Sequence, residues 1–151
     1  MMGFVSLKQV IDFAVEREEI AYRLYKRAAE LTESAAARKL FEELAAEEAM
    51  HKEVFMRIDP DKIADKNSCA LPEATIAKYL RDTPFNPQMD YQEILTFALK
   101  SEEDAYQLYK VSAGMTEDPV LQKTLLAFAE VELAHRRKIE ELYNERVLTE
   151  G

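Results

Sequence analysis

The chain has 151 residues, 48% of them apolar, with three glycines, five prolines and a net charge of −9 from 29 acidic and 20 basic side chains. That length suits one domain with a sizeable core, and the scarcity of glycine and proline argues against a turn-rich all-β, linker-like or collagenous chain. The acidic balance makes nucleic acid and anionic membrane surfaces poor partners, and no stretch approaches the ~20 mostly apolar residues that span a bilayer.

Met1 to Ser6 has neither the basic start nor the apolar run of a secretory signal. Cys69 stands alone, so no internal disulfide or Cys-x-x-Cys metal knuckle is expected. A reducing, cytoplasmic setting follows as the expectation.

Ser6 and Gln9 have the spacing of a capping box and open a helix over about 7–31. Thr32-Glu33-Ser34 breaks it, and a second helix covers about 35–57. A linker over 59–89 carries Pro60, Pro72, Pro84 and Pro87, with a short helix expected from Pro72 to Arg81. Asp90 and Glu93 repeat the capping spacing before a third helix over about 91–113. The turn from Gly114 to Pro119 breaks that helix, and Pro119 suits the first position of a fourth, to about 147. The reading is a single all-α domain over 1–151, with hairpins at 6–58 and 90–147 joined by a long crossover linker.

The two hairpins are copies. Residues 13–26, FAVEREEIAYRLYK, match residues 97–110, FALKSEEDAYQLYK, at 9 of 14 positions. The same offset of 84 carries Ser6 onto Asp90, Thr32-Glu33 onto Thr116-Glu117, Glu48 onto Glu132 and His51 onto His135.

Steps of four and three along each helix define its inward stripe. In the first helix it runs through Ile11, Ala14, Glu18, Ala21 and Tyr25; in the second through Phe41, Leu44, Glu48, His51 and Phe55. The third has Leu95, Ala98, Glu102, Ala105 and Tyr109, the fourth Leu125, Phe128, Glu132, His135 and Ile139. Each stripe is apolar or small at both ends and carboxylate at its centre. Glu18 and Glu48 each lie 15 residues from Glu33, and Glu102 and Glu132 each lie 15 from Glu117. Equal counts from an antiparallel turn mean equal height, about 22 Å from the loop at 1.5 Å per residue. Association through the apolar stripes therefore brings four carboxylates to one level, with an imidazole one turn further along two of the helices.

Four ionised carboxylates in an apolar core face desolvation and mutual repulsion. Two divalent cations cancel their charge. One Glu from each of two helices plus Glu-x-x-His from each of the other two is the di-iron and di-manganese carboxylate pattern. Glu48-Ala49-Met50-His51 and Glu132-Leu133-Ala134-His135 supply the pairs; Glu18 and Glu102 supply the single ligands. Oxygen-rich ligation with one nitrogen per metal suits Fe or Mn better than tetrahedral Zn, although Zn could enter as prepared. Glu18 and Glu102 are expected to be terminal ligands, with Glu48 and Glu132 bridging. Glu19, Glu47, Glu103 and Glu130 lie off the stripe and read as solvated face or as support for the ligands. Tyr25 and Tyr109 project near the site and are candidates to hydrogen-bond a ligand carboxylate or to pass an electron, while Tyr22 and Tyr106 read as packing.

At these residues the sequence resembles the rubrerythrin family of the ferritin-like superfamily. The family's Glu-x-x-Ala-x-x-x-Tyr signature stands as Glu18, Ala21, Tyr25 and again as Glu102, Ala105, Tyr109, each followed on the next helix by Glu-x-x-His. The resemblance covers about 6–57 and 90–147 and implies a ferritin-like four-helix bundle holding two Fe ions. It further implies two-electron reduction of hydrogen peroxide or dioxygen as the site goes from diferrous to diferric. Two positions depart from the family. Conventional rubrerythrins append a rubredoxin domain with four Cys; this chain has only Cys69, so a separate electron donor is implied. Rubrerythrins also carry an additional, movable Glu three residues after the third-helix ligand, where this chain has Ala105.

The expected function is therefore a di-iron oxidoreductase of the peroxidase type, protecting the cell from oxidative stress. Two alternatives use the same residues. A di-iron monooxygenase would need an apolar pocket, for which Ala14, Ala21, Ala98 and Ala105 could leave room. A non-enzymatic iron-binding or storage protein, or a bundle whose metal is structural, would use them too; storage would call for a closed multi-subunit shell. Self-similar halves are also compatible with a homodimer that exchanges hairpins.

Overall fold

In a computed structural model, the described residues are 4–59, 70–72, 86 and 88–150. Among these residues six elements follow in chain order: β1 (Phe4–Ser6), α1 (Leu7–Leu31), α2 (Ala35–Arg57), β2 (Ala70–Pro72), α3 (Tyr91–Met115) and α4 (Pro119–Glu150). The helices dominate. The strands form a minimal antiparallel ladder, Phe4 opposite Pro72 and Ser6 opposite Ala70, which ties the linker to the start of α1. The sequence pattern held no sign of this ladder. The short helix expected over Pro72–Arg81 falls on residues that, apart from Pro72, lie outside the described ones, and so does the Ser6 side chain of the first expected capping box.

The repeat is visible in the turns. At the α1–α2 turn, Thr32 Oγ1 accepts from the Ser34 amide at 3.2 Å, and Ser34 caps α2 by accepting from Ala37. At the α3–α4 turn, Thr116 Oγ1 accepts from the Asp118 amide at 3.2 Å, and Asp118 accepts from Leu121. Arg38 reaches back to the carbonyl of Ala29 just as Gln122 reaches back to that of Ala113. Each bond satisfies a backbone group that a helix end leaves without an intrahelical partner. Asp90 and Glu93 form the reciprocal capping box before α3.

Two helix ends differ from expectation, α4 continuing to Glu150 where about 147 was expected. Helix α3 runs through Gly114 to Met115 instead of stopping near 113. Glycine costs a helix interior about 1 kcal/mol, but Gly114 sits in the exposed last turn, where the Thr116 amide still bonds to the carbonyl of Ser112.

The apolar stripes meet as expected, and the polar layer divides the core in two. Ile11, Phe55, Leu108, Tyr109, Leu125 and Phe128 pack on one side of it. Leu24, Tyr25, Phe41, Leu44, Leu95 and Ile139 pack on the other. Each hairpin packs intimately within itself, and the hairpins join mainly along α1 and α3. Where α2 faces α4, side chains bridge the gap. His51 stacks on Phe128 with ring centroids 3.9 Å apart, and Phe55 meets Phe128 edge-on at 5.3 Å. Two apolar layers thus seal the carboxylate level from both ends of the bundle.

Candidate metal centre

Glu18, Glu48, Glu102, Glu132 and His51 are fully buried, and His135 is 1% exposed. The pattern fixes this: each lies on the inward stripe of its helix, flanked one turn away by apolar or small residues. Their donor atoms fall into two overlapping groups, each within a 4.8 Å span. Glu18, Glu48, His51 and Glu132 form one; Glu48, Glu102, Glu132 and His135 form the other. Glu48 and Glu132 belong to both. Glu18 and Glu102 each belong to one.

Imidazole Nδ1 atoms face the carboxylates in both groups. His51 Nδ1 is 3.0 Å from Glu132 and 3.6 Å from Glu18. His135 Nδ1 is 2.8 Å from Glu48 Oε1 and 3.8 Å from Glu102 Oε2. The outer nitrogens differ. His135 Nε2 bonds to the partly exposed Glu47 of α2, whereas the buried Nε2 of His51 has no hydrogen-bond partner. Residue 131, the counterpart of Glu47, is Val131.

The two tyrosines cross between hairpins. Tyr25 donates to Glu102 and Tyr109 donates to Glu18, the latter at 2.5 Å. Burial, followed by the charge of the carboxylate each one meets, holds both phenols well above their ordinary pKa. They remain protonated donors. Tyr22 and Tyr106 pack at the edges of the core. Of the off-stripe acids, Glu19 pairs with Arg23 and Lys52, Glu103 pairs with Arg136, and Glu130 is exposed. Glu47 alone among these four contacts one of the two imidazoles.

Arg17 is the residue that the sequence reading missed. It is 8% exposed and its guanidinium enters the cluster. Nη1 lies 2.6 Å from Glu48, 2.7 Å from Glu132 and 3.2 Å from Glu18, and Nη2 lies 3.1 Å from Glu102. Its effect on the acids is uneven. Burial pushes Glu48 up, reinforced by Glu132, Glu18 and Glu102, beyond what Arg17 can offset. Burial and the charge of Glu132 raise Glu102 in the same way. Burial opposes ionisation of Glu18 and Glu132 too, but the attraction of Arg17, together with hydrogen bonds from His51 and from a neighbouring carboxyl (Glu48 for Glu18, Glu102 for Glu132), outweighs it and both end below the ordinary carboxylate value. Strongly interacting acids titrate as a set, so the cluster keeps some protons on the Glu48 and Glu102 side.

Three buried acceptors show that Arg17 does not satisfy the site. Glu18 Oε2, Glu48 Oε1 and Glu102 Oε2 make no hydrogen bond, and neither does His135 Nδ1. With the ring proton on Nε2, where Glu47 accepts it, His135 Nδ1 presents a lone pair to Glu48 Oε1 and Glu102 Oε2, and this close approach needs either a proton kept on a carboxyl or a cation between the groups. Buried acceptors aimed at one another without a hydrogen between them are costly, and a cation resolves the conflict. The oxygen-rich donor set with one imidazole per group fits a pair of divalent metals of the Fe or Mn type.

The rubrerythrin family profile matches residues 3–59 and 93–151. Among solved structures, the chain is similar to a ferritin-like diiron-carboxylate protein from Thermotoga maritima, with a TM-score of 0.76 and 22% identity over 95% of this chain and 98% of that one. It is also similar to a hypothetical protein from Pyrococcus furiosus, with a TM-score of 0.71 and 20% identity over 93% and 89% of the two chains. At these identities the likeness establishes the ferritin-like fold. No curated protein sequence matches significantly.

Proposed function

The chain belongs to the rubrerythrin family, and from that premise we propose that it is a di-iron oxidoreductase reducing hydrogen peroxide or dioxygen at the buried cluster. The observation that carries the reading is the pair of overlapping donor groups sharing Glu48 and Glu132. On this reading Glu18 and His51 would hold one metal, Glu102 and His135 would hold the other, and Glu48 and Glu132 would be available to both. Two bound irons would supply one electron each to reduction of an O–O bond.

The remaining contributions come from the chain itself. The apolar layers above and below the cluster exclude bulk water and strengthen each electrostatic contact within it. Tyr25 and Tyr109 hold Glu102 and Glu18 in fixed orientations from across the bundle, so the terminal carboxylates are positioned before any ligand arrives. Glu47 fixes the ring of His135 in the same manner. With a single cysteine in the chain, electrons would return from a separate donor. Hydroxylation of an organic substrate has weaker support. Ala14, Ala21, Ala98 and Ala105, the residues that could border a substrate pocket, are at most 2% exposed and packed into the core.

The test is to load the protein with Fe(II) without oxygen and compare its oxidation by hydrogen peroxide and by air. Two irons per chain, oxidised much faster by peroxide, would support a rubrerythrin-like peroxidase despite Ala105. Oxidation by air as fast or faster would favour an oxygen-using or storage role. Failure to bind iron would remove the di-iron reading.

A further inference from the structure

We propose that Arg17 is the built-in counterion of the metal-free cluster, and that its guanidinium must leave before both metals can enter. The inference rests on the dimetal reading above and adds a regulation of loading to it. The guanidinium touches all four carboxylates, and its two shortest contacts, 2.6 and 2.7 Å, fall on Glu48 and Glu132. These two residues are common to both donor groups. A cation bound to them occupies the edge that the two metal positions share.

Charge leads to the same conclusion. Two divalent ions neutralise four carboxylates; a retained guanidinium would leave an uncompensated positive charge in a sealed core, which is strongly unfavourable. Without metal the same guanidinium relieves the repulsion among the acids. The device is present once, because the repeat places uncharged Ser101 where the first hairpin has Arg17. The attachment is also suited to release. Arg17 hydrogen-bonds through Nη1 alone while the buried Nε and Nη2 make no hydrogen bond, so no rigid fork of paired bonds has to be broken.

Zinc is the probe, since it is diamagnetic and redox-inert. In the metal-free wild type, Arg17 guanidinium N–H resonances, assigned by their absence in Arg17→Gln, should be slow to exchange with water. Two equivalents of Zn(II) should collapse them to the rapidly exchanging signal of a solvated arginine. Arg17→Gln and Arg17→Leu should lower the Tm of the metal-free protein and tighten zinc binding by at least about tenfold, with the Tm deficit closing on loading. Wild type that holds one zinc while the variants hold two would equally support the inference. Protected Arg17 signals that persist with two zinc ions bound would overturn it, as would variants that bind zinc no more tightly than wild type; either result leaves the dimetal site intact. Zinc binding by neither wild type nor variants would instead remove the dimetal reading, and this inference with it. The resonance experiment needs no variant to remain fully folded beyond the assignment.

Discussion

Tyr109 of α3 donates its hydroxyl hydrogen to Glu18 of α1 across 2.5 Å, and the pair joins the two copies of the repeat at their most polar level. Tyr25 returns the bond from α1 to Glu102 of α3. Both rings are fully buried, so neither carboxylate can recover the lost partner from water. Tyr109→Phe keeps the ring against Phe55, whose centroid is 5.3 Å away, and removes only the hydroxyl. Glu18 Oε1 keeps Arg17 Nη1 at 3.2 Å, so what is lost is one hydrogen bond to a charged group, about 1.5–3 kcal/mol. For a domain of this size each kcal/mol lowers Tm by roughly 2–4 °C. Thermal unfolding of metal-free Tyr109→Phe should show a fall of that order, and Tyr25→Phe a similar one. A change smaller than the scatter of the measurement would mean that the crossed bonds add nothing to stability.

Loss of a shared ligand should differ from loss of an unshared one. Glu48 and Glu132 serve both donor groups, whereas His51 and His135 serve one each. Glu48→Ala should therefore abolish stoichiometric loading, while His135→Ala should leave about one metal per chain, since a site that keeps its full ligand set can still be filled. Elemental analysis after gel filtration reads this directly. Two metals retained in either variant would disprove the ligand assignment.

The helices and the six inward acids and imidazoles were legible because one periodicity encodes both. Glu18, Glu48, Glu102 and Glu132 take the places that apolar residues hold elsewhere on the stripes, and the offset of 84 repeats them. Arg17 was not legible by the same rule. It precedes Glu18 and lies off the stripe, and its repeat partner Ser101 carries no charge, so both periodicity and duplication pointed away from it. The available signal was electrostatic. Four buried carboxylates need a countercharge even without metal, and Arg17 is the cation adjacent in sequence to one of them. Glu47 was hidden for a related reason, grouped with Glu19, Glu103 and Glu130 by its spacing, although its reach to His135 depends on how closely α2 approaches α4.

That reach makes the two donor groups unequal. Glu47 accepts the outer N–H of His135, while Val131 leaves the corresponding nitrogen of His51 without a partner. A carboxylate behind a ligand imidazole fixes its tautomer and raises its basicity, and its loss costs about 10–100-fold in metal affinity. Titration with Co(II), followed by its ligand-field absorbance, should resolve a tighter and a weaker site in wild type. Glu47→Ala should weaken one site by that factor and spare the other. Equal sites in wild type, or a uniform loss at both, would show that the asymmetry has no consequence for binding.

A single imidazole should give the metal-free protein and the metal-binding reaction opposite responses to pH. Burial pulls His51 down, but hydrogen bonds to Glu132 and Glu18 and their charges more than compensate, raising it from an ordinary 6.5 to about 9. A group raised in the fold stabilises fully below its unfolded value, and that contribution is lost as pH climbs through the folded one. The Tm of the metal-free protein should accordingly fall between pH 7 and 10, with a smaller fall in His51→Gln. Metal requires the neutral ring, so loading at pH 7 should release a proton from His51, and affinity should rise over the range in which metal-free stability declines. Zinc addition to lightly buffered protein with a pH indicator measures the release, and isothermal titration at several pH values measures the affinity. Zinc affinity that weakens from pH 7 to 9, under conditions that keep the metal soluble, would mean that His51 does not hold the proton that metal displaces.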